Sequence, residues 1–240
     1  MAKHVYSILN MSSVRPASGA AADPDRTARA RIRDAAVNLF GRDGFGASVR
    51  AIATEAGVSP GLVLHHFGSK DSLRAVCDEH VLEEIRRMKL EAVADAPPTA
   101  LLNTMVELDE YVPLVAYVVR SLQAGGPLAR DFIEQMIVDA QDYMHAGEIA
   151  GNIKPSRDAA ARARYVVLAN TGATVVLAME QTADGSALDA RKLMYDATAA
   201  ATLPALEMYT EGLLTSGEML ESYLLYLSDP PGESGSDDAA

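Results

Sequence analysis

Apolar residues recur every three to four positions through most of the chain, and no segment alternates with period two. The fold class this predicts is all-α. The first predicted helix spans 25–43, with Ile32, Ala36, Leu39 and Phe40 along one face. Gly44 suits the left-handed position that ends it, and Phe45 can fold back on its last turn. Ser48 caps a second helix that buries Val49, Ile52, Ala53 and Ala56 and stops at Gly57 after barely two turns. Gly57-Val58-Ser59 is then a tight turn. Ser59 caps a third helix, with Pro60 at its first position, where a missing N–H costs nothing. That helix reaches Phe67, Gly68-Ser69-Lys70 stops it, and a longer helix runs on to about Val93.

Two short helices joined by a glycine turn and packed on a preceding helix form a helix-turn-helix. Neither would hold alone. Their caps instead set the crossing angle, so that the second stands out as a ridge of the size the major groove of B-DNA admits. Arg50 and Lys70 each sit at a helix start flanking that ridge, as phosphate ligands would, with the hydroxyl of Ser48 nearby. Within the ridge Ser59 and Pro60 set the entry, and Gly61 lets the backbone approach DNA. Its outer part lacks Arg, Asn and Gln, which leaves base readout to Leu62 and His65 and gives weight to DNA shape. His66 is as well suited to packing the helix as to touching DNA. The adjacent pair His65-His66 does not make a metal site, because neighbouring helical residues diverge by about 100° and no third ligand is near.

Beyond the head, the pattern predicts helices over 99–109, 112–124, 127–149, 157–181, 187–214 and 217–227, with Pro113, Pro127, Pro155 and Pro204 at starts or bends. The stretch 165–180, "YVVLANTGATVVLAME", is apolar nearly all round and must be buried on most sides. Tyr111, Tyr117, Met136, Tyr143, Met144 and Met179 combine adaptable shape with hydroxyls, which suits a cavity for bulky apolar molecules; plain core packing would use the same residues. The predicted organisation is a disordered leader over 1–24, a helix-turn-helix domain over 25–75, a helical body over 76–227 and a disordered acidic tail over 228–240. Met11 is an alternative start.

Charge changes this picture by region. The whole chain of 240 residues carries a net −12. Arg26 to Arg74 holds eight bases and four acids, a balance of +4, so the rest carries −16. An acidic body repels a polyanion, so only the head can meet one. The single Cys77 makes no internal disulfide, no apolar run reaches the roughly 18 residues of a membrane span, and no signal-peptide pattern opens the chain. The expected location is the cytoplasm. No phosphate loop, nucleophile motif, metal-ligand pair or cofactor signature supports the rival reading of an all-α enzyme. A helical protein-binding adaptor would leave the basic head and its caps unexplained. DNA retained at low salt and lost steeply as salt rises separates the first reading from both.

The stretch 39–73, "LFGRDGFGASVRAIATEAGVSPGLVLHHFGSKDSL", resembles the N-terminal signature of TetR-type bacterial transcriptional regulators. The matching positions are Phe40, Gly44-Phe45, Ser48 where threonine is usual, Ile52-Ala53, Ala56-Gly57-Val58-Ser59, Gly61, His66-Phe67, Ser69-Lys70 and Leu73. The resemblance implies a homodimeric repressor that binds near-palindromic operator DNA and is released when a small apolar or drug-like ligand enters the body. It also implies a two-fold four-helix interface built by 165–180 and the helix that follows. One departure stands out. Leu64 replaces a tyrosine whose hydroxyl often reaches a phosphate in the family, and it offers sugar or a thymine methyl an apolar contact instead.

Overall fold

A computed structural model describes the backbone of residues 24–94 and 100–228, and side chains over 27–93 and 109–228. The leader apart from Pro24, the link 95–99 and the tail beyond Ser228 lie outside the described residues, as does Met11. The head consists of α1 (Pro24–Asp43), α2 (Val49–Glu55) and α3 (Pro60–Phe67). The body consists of α4 (Lys70–Ala94), α5 (Ala100–Ala124), α6 (Gly126–Ile149), α7 (Ala159–Gln181), α8 (Ala190–Thr210) and α9 (Glu218–Ser228). The described residues contain no strand.

The local chemistry of the head operates as its sequence predicts. The Ser48 hydroxyl accepts from the Ala51 N–H at 3.1 Å, and the Ser59 hydroxyl from the Leu62 N–H at 3.2 Å. Gly57 turns the chain between them at φ 65°, in the left-handed region that favours glycine. Ser69 adds a third cap, accepting from the Ser72 N–H at 3.0 Å at the start of α4.

Packing ties head to body more closely than a boundary at residue 75 suggests. Phe40, Ile52 and Phe67 share one core with Leu73, Cys77 and Val81 of α4 and with Tyr117 of α5. Each such fully buried side chain contributes about 1.5–3 kcal/mol, so the head's core closes only with the body's help. Gly41 permits the α1–α5 crossing: a Cβ there would lie 2.9 Å from the Ala116 Cβ and 3.1 Å from the Tyr117 nitrogen.

One prediction fails in the body. The expected break between 109 and 112 is absent, and a single helix runs from Ala100 to Ala124 with Pro113 inside it. Proline removes one N–H from the ladder. Here the buried side chains of Tyr111, Ala116, Tyr117 and Val119 hold the helix on course past that gap. Pro204 likewise lies inside α8, whereas Pro127 stands at the start of α6.

Candidate nucleic-acid interface

The outer surface of α2 and α3 presents the residues expected there. Ser48, Arg50, Ser59, Pro60, Gly61 and His65 are exposed, and Leu62 and His66 are half-buried. Leu64 is 46% exposed, an apolar side chain standing in solvent on the ridge. On the opposite side Val63 and Phe67 are buried and fix how far α3 stands out. A Cβ on Gly61 would meet nothing closer than the Ser59 hydroxyl at 3.9 Å, so the protein itself leaves this position open. Arg29 places its guanidinium 5.2 Å from the Phe67 ring centre, which brings a further cation to the end of α3. Sequence reasoning passed over it because the contact spans two helices.

Lys70 has a role inside the protein as well. Its Nζ donates to the carbonyls of Phe45 at 2.7 Å and Ala47 at 3.2 Å, closing the turn between α1 and α2. One of its three ammonium N–H bonds remains for a phosphate.

Behind this surface, a polar network joins head to body. The Tyr117 hydroxyl donates to Asp78 Oδ1 at 2.7 Å, and Arg74 Nε lies 3.8 Å from Asp78 Oδ2. The Arg74 guanidinium carbon is 3.5 Å from the centre of the Phe45 ring, which itself meets Tyr117 edge-on at 5.6 Å between centres. Burial raises the Asp78 pKa above the ordinary carboxylate value, against the pull of the Tyr117 hydrogen bond and Arg74. Burial also raises the Tyr117 phenol. Arg120 of α5 donates to the carbonyls of Gly41 and Arg42, both at 3.3 Å, and so caps the end of α1.

The body holds a half-open cavity of about 620 Å³ between α4, α5, α6, α7 and α8. Leu82, Ile85, Val118, Val119 and Val167 make its wall largely apolar, and Asn170, Thr171 and Thr198 add polar points. Met136 and Tyr143 line it. The other candidates lie elsewhere. Tyr111 packs with Met88 and Met194, Tyr117 gives its hydroxyl to Asp78, Met144 belongs to the α4–α6–α7 core, and Met179 is 60% exposed. Lys89 and Asp139 also line the cavity. Lys89 is half-buried, and burial lowers its pKa to about 8. Asp139 is raised by burial, offset by a hydrogen bond from Gln135 and by Arg86. Burial lifts the Tyr143 phenol to about 12.

Comparison with known proteins agrees with this geometry. Residues 32–77 match the family described as "Bacterial regulatory proteins, tetR family", and residues 109–215 match the "Tetracyclin repressor-like, C-terminal domain". The chain is 47% identical to the HTH-type transcriptional regulatory protein RaaS of Mycobacterium tuberculosis over 201 residues, covering 83% of this chain and 93% of that protein. The chain belongs to the TetR family.

It is a TetR-family transcriptional regulator, and DNA binding through the helix-turn-helix follows from membership. Its relatives are regulators and not enzymes. A second relative, the HTH-type transcriptional regulator BetI of Brucella canis, is 41% identical over 69 residues, 28% of this chain and 35% of that protein. Among solved structures, a tetR-family transcriptional regulator from Streptomyces coelicolor is 20% identical with a TM-score of 0.43, covering 87% of this chain and 91% of that one. Among the described residues no helix is long and apolar enough to cross a membrane.

Proposed function

We propose that this TetR-family protein is a repressor that grips near-palindromic operator DNA as a homodimer and lets go when a small apolar molecule fills the body cavity. The observation that carries the reading is shared architecture: α4 and α5 line the cavity and also form the floor on which the head packs. Ser48, Arg50 and Lys70 hold phosphates in this reading, while α3 enters the major groove with Gly61 against the backbone and Leu62, Leu64 and His65 toward base edges. One such helix makes too few contacts for a useful specificity ratio. Two of them, spaced about 34–36 Å or a multiple apart, meet both half-sites.

The outer faces of α7 and α8 support the dimer. Tyr165, Leu168, Val176 and Met179 on α7 and Leu203 and Met208 on α8 are exposed in the single chain. Gly172 of α7 meets nothing within 4 Å of an added Cβ, which leaves room for a neighbouring backbone. Large apolar side chains exposed in this number on two neighbouring helices are expected to be covered.

The test is to sequence genomic fragments retained by the purified protein and to titrate one of them with and without a bulky apolar compound. A near-palindromic site bound by two chains and released by the compound is expected. Binding as a single chain, or an affinity indifferent to every apolar compound that enters the cavity, overturns the reading. Gly172→Leu should weaken both self-association and operator binding.

A further inference from the structure

Arg29 stands in the second turn of α1 and holds its guanidinium over the ring of Phe67, the last residue of α3. From Phe67 a row of rings leads back along α3. Phe67 meets His66 at 6.2 Å between centres, and His66 meets His65 at 5.6 Å, both edge-on. The row starts in solvent at His65, passes through the half-buried His66 and the buried Phe67, and ends in solvent at Arg29. It ties the exposed ridge of α3 to an exposed cation on another helix.

Stacking on a ring uses the face of a guanidinium and leaves the N–H donors along its edge for an oxyanion. Other arginines of the head already spend those donors: Arg33 gives two hydrogen bonds to Asp34, and Arg42 two to Asp43. Arg74 shows ring and anion together, with Phe45 under its guanidinium and Asp78 Oδ2 3.8 Å from its Nε. Arg29 has the ring, but among the described residues no carboxylate pairs with it. Its donors therefore stay available beside the C-terminal end of α3. Just beyond that end stands Lys70, which has a single N–H left after serving the Phe45 and Ala47 carbonyls. A helix in the major groove has a phosphate backbone along each side, and a guanidinium meets a phosphate with two parallel N–H bonds.

We infer that Arg29 is a phosphate ligand in the DNA complex, and that the Phe67 ring is the positioning group that holds it beside the end of α3. The inference rests on the docking of α3 proposed above, and it adds α1 to the elements that grip the backbone. Arg31 supplies the control. It is exposed on the same helix, two residues on and about 200° around the axis, so it carries the same charge away from that position.

The experiment measures binding of the full chain to a genomic fragment that it retains, over a range of salt concentrations. Circular dichroism checks that each variant is folded; Arg29→Met keeps an unbranched side chain over Phe67 and removes only the charge. Arg29→Met should lower the slope of log affinity against log salt by about 0.9 for each chain bound. Arg29→Lys should keep most of that slope, and Arg31→Met should leave it unchanged. Phe67→Leu should weaken binding in the natural chain and add little to Arg29→Met, because the ring acts through the arginine. Equal slope losses in Arg29→Met and Arg31→Met would reduce the effect to general charge and overturn the ligand. Equal losses from Phe67→Leu with and without Arg29 would overturn the positioning role. Gly61→Val separates this inference from the docking beneath it. If Gly61→Val loses specific binding while Arg29→Met keeps the full slope, the phosphate ligand fails and the docking stands. If Gly61→Val binds normally, the docking fails and Arg29 with it.

Discussion

Replacing Tyr117 by phenylalanine removes one oxygen atom from the point where body meets head. The ring stays, so the contacts with Phe40 and Phe45 survive, and no void larger than a hydroxyl opens. What disappears is the 2.7 Å bond to Asp78, together with a longer contact to the Arg74 carbonyl at 3.4 Å. A hydrogen bond to a charged group is worth about 1.5–3 kcal/mol. Asp78 retains some access to water, which replaces part of the loss, so a cost of about 1–2 kcal/mol at pH 7 is expected.

The pH dependence gives the mutation its signature. Burial already holds the Asp78 pKa above its unfolded value, so the folded protein keeps a proton that the unfolded chain has released. That makes Asp78 a liability which grows as pH rises through the window between the unfolded and folded values, and which disappears below it. Without the Tyr117 bond the folded value climbs further and the window widens. The destabilisation of Tyr117→Phe should therefore be largest at neutral pH and shrink on acidification toward the ordinary carboxylate pKa. Urea unfolding followed by circular dichroism at pH 7 and near pH 4 measures both quantities. An equal loss at the two pH values, or none at either, would refute the assignment of Tyr117 to a charged Asp78.

Three further outcomes follow from other positions. Lys70→Ala should weaken binding to all DNA sequences alike and lower the salt slope by about one unit; it should also destabilise the head, because the Phe45 and Ala47 carbonyls lose their donor. A destabilised head with an unchanged salt slope would make Lys70 a purely structural residue. Gly61→Val should fold normally, since only the Ser59 hydroxyl lies within 4 Å of an added Cβ, and yet lose specific binding; normal operator affinity would mean that α3 does not lie in the groove. Lys89→Met should raise stability at pH 7 by on the order of 2 kcal/mol and flatten the pH profile. The wild-type lysine, lowered to about 8, makes the protein gain stability as pH rises from about 8 to the ordinary lysine value, and urea unfolding at pH 7 and 10 tests this.

The parts of the molecule legible from its sequence are those governed by near neighbours. Ser48, Gly57, Ser59 and Pro60 act within four residues of themselves, so their caps and turn could be placed by position alone. Tyr117 could not. Its partner Asp78 is 39 residues away, and periodicity recommends a tyrosine on an apolar face as readily for a cavity as for a polar core contact. Lys70 reaches back 25 residues to Phe45, which no spacing rule marks. The same limit separates Met136 and Tyr143 from Met144 and Met179. All four sit on helices that border the cavity, but the rotation of each helix about its axis decides which side chains enter it. Pro113 shows the converse error, a strong local signal overruled by buried neighbours.

In the proposed switch, the two faces of α5 connect the body cavity to a head it does not touch. Val115, Val118, Val119 and Leu122 line the cavity, while Ala116, Tyr117 and Arg120 meet α1, the α1–α2 turn and the adjoining part of α4. These residues interleave along one helix, so a push on the first set is delivered through the second. The Gly41–Ala116 crossing has no room for a methyl group and therefore little slack. On the other side, α4 meets the cavity at Leu82, Ile85 and Lys89 and carries Arg74 and Asp78 at its head end. A ligand that displaces either helix disturbs the Tyr117–Asp78–Arg74 network from one end or the other. In the proposed switch a tenfold loss of operator affinity requires about 1.4 kcal/mol of coupling, comparable to one hydrogen bond of that network. The ligand need not unfold the head. It has only to prefer the arrangement in which that bond is lengthened, and by reciprocity bound operator must then weaken the ligand by the same factor.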